Sequence, residues 1–85
     1  MLEIHYFAAA RQAAGVAQES VEAQATLGEL LDALVETHPG TTEAGMSFAE
    51  VLERCTFLVD GAHAKRAATL AGATRVDVLP PFAGG

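Results

Sequence analysis

Apolar and polar residues alternate over Leu2-Glu3-Ile4-His5-Tyr6, the period of a strand with one buried face. Leu2, Ile4 and Tyr6 share that face, and Phe7 falls on the other with Glu3 and His5. Residues 8–14 are alanine-rich around Arg11 and Gln12 and predict a short helical turn, punctuated by Gly15. Residues 16–22 have the polarity of an exposed edge strand, with Val21 as the clearest inward anchor. The period then changes. Leu27, Leu30, Leu31, Leu34 and Val35 recur at helical spacing and make one apolar stripe. Thr26-Leu27-Gly28-Glu29 fits a capping box, in which Thr26 takes a backbone N–H and Glu29 reaches back. Gly28 in the first turn costs something under about 1 kcal/mol relative to alanine. Pro39-Gly40 stops the helix.

Residues 41–46 read as loop, and Ser47-Phe48-Ala49-Glu50 is a second capping box opening a short helix to about Arg54. Residues 55–59 predict a strand and Asp60-Gly61 a turn. Residues 62–70 are weakly patterned, a short irregular strand and loop, and 71–74 turn the chain again. Residues 75–79 alternate as a final strand with Val76 and Val78 inward. Pro80-Pro81 ends it, because neither residue can donate to a ladder. The first and last strands are too far apart for a hairpin. As neighbours at the sheet centre they are parallel, with the helix crossing one face. The expected fold is therefore α+β, a β-grasp of ubiquitin-like kind: a mixed sheet of about five strands with one main helix packed on one face. Residues 1–81 form its single domain, and 82–85 a flexible tail ending in Gly-Gly.

Composition narrows the chemistry. Eleven acidic against five basic side chains give a net charge of −6, which does not suit a phosphate backbone. It suits a basic protein partner, or serves solubility alone. The only basic pair, Lys65-Arg66, is too small for a nucleic-acid patch. The single cysteine, Cys55, allows no internal disulfide and lies in an apolar stretch that favours a buried, inert thiol. His5, His38 and His63 have no mutual metal spacing, and His38 sits where a helix dipole favours a cation. No phosphate-binding glycine motif and no nucleophile elbow is present. No stretch reaches the roughly 18–20 apolar residues of a membrane span, so the expected location is cytoplasmic. Autonomous catalysis and a metal or cofactor bound by this chain are not expected.

The end Pro80-Pro81-Phe82-Ala83-Gly84-Gly85 carries the chemical possibility. Two glycines make a thin probe that a closed site can admit, since any Cβ narrows the tolerance. The diproline fixes φ and stiffens the exit from the sheet. Such a rigid base with a slim tip lowers the ordering cost of insertion. A terminal carboxylate is poor at acyl transfer. ATP-driven adenylation gives it a good leaving group, which a sulfur nucleophile can displace to leave a thiocarboxylate. A frayed terminus without function is the competing reading.

The opening Met1-Leu2-Glu3-Ile4-His5-Tyr6-Phe7-Ala8, with Arg11 and Gly15, resembles that of the small subunit of molybdopterin synthase, a ubiquitin-like sulfur carrier. The end Val76-Asp77-Val78-Leu79-Pro80-Pro81-Phe82-Ala83-Gly84-Gly85 resembles the end of the same family, and the Thr26-led helix falls where that family has its helix. The resemblance covers the whole chain, and the terminal Pro-Pro-x-x-Gly-Gly is its most specific part. It implies a β-grasp fold and a non-catalytic subunit serving molybdenum cofactor biosynthesis. Gly85 would be adenylated by an E1-like adenylyltransferase and sulfurated to a C-terminal thioglycine. The tail, Pro80 to Gly85, would enter the large synthase subunit and give its sulfur to a cyclic pyranopterin. The implied assembly is a heterotetramer of two small and two large chains; zinc, ATP and pterin belong to the partners. The family docks through an apolar patch on the open sheet face. Phe7 and Leu79 match that patch, Arg11 accompanies it, and a third apolar position falls near His63, a departure from the pattern.

Three other functions fit the same residues: a carrier for thiazole or cysteine synthesis, a ubiquitin-like modifier forming isopeptide bonds, and an interaction module with an inert tail. The Pro80-Pro81 pair favours the molybdopterin carrier, because resemblance to the other carriers stops at the final glycines.

Overall fold

The computed structural model describes residues 1–81 of the 85-residue chain. In chain order these form β1 (Leu2–Tyr6), α1 (Ala8–Ala14), β2 (Gln18–Val21), α2 (Leu27–Thr37), α3 (Phe48–Glu53), β3 (Thr56–Val59), β4 (Ala62–Ala64) and β5 (Arg75–Leu79). The five strands make one sheet in the order β2-β1-β5-β3-β4. The central pair, β1 and β5, is parallel, with Ile4 opposite Val76, and the remaining pairs are antiparallel. The mixed sheet with its helices on one side is the β-grasp expected from the order of elements.

One core holds the layers together. Leu2, Ile4, Tyr6, Phe57, Val76 and Val78 face inward from the strands, as alternation requires. Leu27, Leu30, Leu31 and Leu34 of α2 meet them, and all four are at most 2% exposed. Removing one such leucine side chain costs about 2–5 kcal/mol through lost burial and the cavity left behind. Phe48, Val51 and Leu52 of α3 and Ala10 and Ala13 of α1 complete the layer. The alanines let α1 lie close, because a bare methyl separates the helix from its neighbours.

The helix caps differ from one another. At α3 both halves of the box form: Ser47 Oγ accepts from Glu50 N at 3.2 Å, and Ser47 N donates to Glu50 Oε1 at 3.0 Å. That backbone N–H, and then the Ser47 hydroxyl, hold the Glu50 carboxyl below its ordinary value. At α2 only half forms. Thr26 Oγ1 accepts from Glu29 N at 3.2 Å, and the predicted return bond from Glu29 is not made. There residues 25–28 run along 66–70, with Leu27 N donating to Ala68 O and Gly28 N to Arg66 O. The far loop has taken over part of the capping. It also explains Gly28: a Cβ there would approach the Arg66 carbonyl oxygen to 3.1 Å. The glycine permits a close approach that its helix propensity alone would not reveal.

Two boundaries fall inside the predicted ones. β2 spans four residues rather than 16–22, with Val21 half-buried as its anchor. β3 starts at Thr56 because Cys55 N still donates to Leu52 O, finishing the turn after α3. Arg54 caps that helix, as its predicted end requires, and Cys55 closes the turn instead of opening the strand. Asp60 and Gly61, at φ 49° and 86°, make the tight β3–β4 turn, whose two residues both need positive φ. Asp60 does more than turn. Its carboxylate accepts from Thr74 Oγ1 at 2.7 Å, Thr74 N at 3.1 Å and Arg75 N at 2.9 Å. These bonds, the Thr74 hydroxyl first, depress its carboxyl below the usual range and tie the hairpin to the start of β5.

Candidate functional site

β5 is a central strand, flanked by β1 on one side and β3 on the other. Its last residue, Leu79, pairs with Thr56, and Phe7 N donates to Val78 O at 3.3 Å. Pro80 and Pro81 follow without an N–H to extend either ladder. The chain therefore leaves the sheet from its middle at a fixed place. A shallow groove surrounds this exit, lined by Phe7, Ala8, Thr56, Leu79 and the two prolines. Phe7 is 39% exposed, and Leu79 is half-buried on the same outward face. Ala8 is held at φ 48°, a left-handed conformation that costs an alanine roughly 1–2 kcal/mol. That turn carries the chain from β1 into α1 directly after Phe7.

The parallel register brings Phe7 and Leu79 together with Pro80 and Pro81 in this groove. His63 and Arg11 stand apart from it. His63 is exposed on the edge strand β4, two strands from β5, opposite Leu58. Arg11 is exposed on α1 and lines neither this groove nor its neighbours. Phe82, Ala83, Gly84 and Gly85 lie outside the described residues.

Sequence reasoning missed Leu58. It sits on the open face in one row with His5, Asp77 and His63, half-buried among polar neighbours. The signal was present: Phe57 points inward, so Leu58 points out. Glu3 and His5 are 3.0 Å apart on this face, and Arg75 and Asp77 are joined at 2.7 Å. Such surface pairs contribute little stability but ring the apolar spots with charge.

A part-buried polar cluster was missed as well. Tyr6 OH donates to Glu19 Oε2 at 2.6 Å, and His38 Nε2 lies 2.5 Å from the same oxygen. The Tyr6 and His38 rings both pack on Phe48. Burial first, and then the Glu19 carboxylate, push the Tyr6 phenol far above its ordinary value. His38 is thus tied to edge strand β2 rather than left to the helix dipole. The available signal was an inward tyrosine, whose hydroxyl needs a partner when buried.

Among the described residues no group of three His, Cys, Asp or Glu side chains could hold a metal ion. Cys55 donates its thiol to Val51 O at 3.1 Å, and burial raises its pKa to about 11, which suppresses the thiolate. Among the described residues no helix is long and apolar enough to cross a membrane.

The comparisons agree with this geometry. The chain matches SAMP1 from Haloferax volcanii at a TM-score of 0.74 and 27% identity, covering 99% of this chain and 98% of that one. A second structure, H. volcanii small archaeal modifier protein 1, matches at 0.70 and 26%, over 95% and 97% of the two chains. A structure described as molybdopterin converting factor subunit 1 from Pyrococcus furiosus matches at 0.67 and 22%, over 95% and 97%, a likeness of fold. No curated protein matches the chain. Residues 4–85 match the ThiS family from the first strand through the two final glycines, and the chain belongs to that family of ubiquitin-like sulfur carriers.

Proposed function

We propose that this protein is the sulfur-carrier subunit of a molybdopterin synthase, with the Gly85 carboxylate as its working group. The observation that carries the reading is the exit of the chain: a central strand, an apolar groove at its end, two prolines, and then a family match that runs to the terminal Gly-Gly. In the first step Gly85 attacks the α-phosphate of ATP in an E1-like adenylyltransferase and pyrophosphate leaves. A sulfur nucleophile then displaces AMP from the acyl carbon and leaves a thiocarboxylate. Loaded, the tail enters the large synthase subunit, in a heterotetramer of two small and two large chains, and gives up its sulfur to a cyclic pyranopterin. Pro80 and Pro81 stiffen the base of the tail, while Phe82, Ala83 and Gly84 pass through the partner's channel. Phe7 and Leu79 dock the partner beside the exit, with Arg11 and His63 at the margin of the contact. The chain supplies no cofactor; ATP is used by the activating partner. Its place of work is the cytoplasm.

Incubation with the E1-like enzyme, ATP and a sulfur donor raises the intact mass by the oxygen-to-sulfur difference, mapped to Gly85. An unchanged mass under conditions that load another carrier would refute the reading. The likeness to two small archaeal modifier structures favours a second reading, a protein modifier joined through Gly85 to lysines. Isopeptide conjugates in cell lysate, absent for Gly85→Ala, would decide for it.

A further inference from the structure

Pro80 and Pro81 line two grooves, not one. The second opens on the helix side of the exit, between Ala9 of α1, Met46 in the loop before α3, and Val51 and Arg54 at the end of α3. Its floor is apolar, since Val51 is 3% exposed and Met46 is half-buried. Methionine suits such a place because its unbranched thioether repacks around an incoming side chain. Arg54 supplies the one charge. Of the five cations, Arg66 is paired with Asp32 and Arg75 with Asp77. Arg11, Arg54 and Lys65 make no ion pair among the described residues, and of these three only Arg54 lines this groove. Glu50, one turn earlier on the same helix, is held by the Ser47 cap, and the attraction of Arg54 is only the last of the causes that lower its carboxyl. A guanidinium with no ion pair among the described residues therefore stands beside an apolar floor on a chain of net charge −6.

We infer that the helix-side groove is a second docking contact for the adenylating enzyme, taking an apolar side chain of that enzyme with a carboxylate beside it to meet Arg54. Charge complementarity selects the occupant: a carboxylate set against this groove meets a cation that holds no ion pair among the described residues. Continuity supports it. An enzyme that encloses the chain beyond Pro81 must surround Pro80 and Pro81, and both prolines belong to both grooves. Held from the sheet side and the helix side together, the base of the tail is fixed in direction before Gly85 reaches ATP. The inference rests on the carrier reading above.

The test is ATP–pyrophosphate exchange by the E1-like adenylyltransferase of the same genome, with the carrier concentration varied. Arg54→Glu raises KM for the carrier about tenfold or more and leaves kcat within about twofold, as loss of a docking charge pair does. Arg54→Lys keeps the charge and retains most of the affinity. Met46→Ala raises KM without changing net charge. Lys65→Glu makes the same change in net charge as Arg54→Glu at a residue that lines neither groove, and leaves KM near wild type. Melting curves of each variant separate docking from folding. Wild-type exchange with unaltered KM for both Arg54→Glu and Met46→Ala would overturn the second contact alone. Equal KM increases for Arg54→Glu and Lys65→Glu would also overturn it, by reducing the effect to general charge. No exchange with the wild-type chain would refute the carrier reading, and this contact with it.

Discussion

Gly40→Ala probes how firmly the helical layer is locked together. Gly40 lies in the connection between α2 and α3, after Pro39. A Cβ at this position would overlap the carbonyl oxygen of Ala13 and lie 3.5 Å from its carbonyl carbon. Neither side yields easily. Ala13 is 1% exposed in the last turn of α1, where Gly15 N closes onto Arg11 O at 2.9 Å. The Pro39 ring fixes φ just before Gly40, and Thr41 just after it is bridged to Ser47. Overpacking against such fixed atoms costs about 1–3 kcal/mol. The narrower unfolded ensemble of alanine returns about 0.4–1 kcal/mol. The net loss is about 1–2 kcal/mol. In a domain of this size each kcal/mol moves Tm by roughly 4–8 °C, so the variant melts roughly 5–15 °C below wild type. Thermal unfolding followed by circular dichroism reads this directly, and urea unfolding checks that the m-value is unchanged. A Tm at or above wild type would show that the connection slides off α1 at no cost, and the steric argument would be wrong.

Three further outcomes follow from the side-chain network. Tyr6→Phe removes the bond to Glu19 and costs about 1–2 kcal/mol in urea unfolding, since Glu19 is partly exposed and recovers water; equal midpoints would count against any role for the cluster. The Asp60 carboxyl titrates below its ordinary 3.8 in the fold, so as pH falls the unfolded chain takes up this proton first. Its contribution is present above that value and lost as pH drops through it toward the folded pKa; Asp60→Asn lowers Tm at neutral pH and flattens the acid limb, and an unaltered limb would contradict the assignment. With its thiol pKa at about 11, Cys55 is thiolate only to the order of 0.1% at pH 8, against about a quarter for an unperturbed thiol. The higher nucleophilicity of a more basic thiolate offsets part of this, so iodoacetamide labelling followed by mass spectrometry is about tenfold or more slower in the folded chain than in urea; equal rates would mean that the fold does not shield the thiol.

What the sequence discloses here is local order, and what it withholds is who meets whom. The period-2 pattern at 2–6 and 75–79 located both central strands to the residue, because each buries one whole face. Ser47 and Glu50 form their box because both partners lie within four residues. Thr26 and Glu29 obey the same rule only halfway, because residues 66–70, some forty positions on, compete for the same backbone groups. That segment carries no periodicity to announce it. Glu19 and His38 escaped notice for the same reason: neither flanks Tyr6 in sequence, and only the return of β2 beside β1 joins them. At the site, alternation plus a parallel first and last strand was enough to bring Phe7 beside Leu79. The row that holds Leu58 beside Asp77 and His63 depends on antiparallel registers set by the Asp60-Gly61 turn.

The parallel central pair also fixes where the chain leaves the sheet. A strand at a sheet edge is held on one side and frays from the other, so its end wanders. β5 is held on both sides up to Leu79, by Thr56 of β3 and by the turn into α1 at Phe7. The point of departure is therefore set by ladders that contain no tail residue. Proline is then the residue that can follow at least cost, because it ends both ladders without leaving a donor unmatched. Among the described residues the inward row of β5 ends at Val78, with Phe57 opposite it and the α2 leucines above.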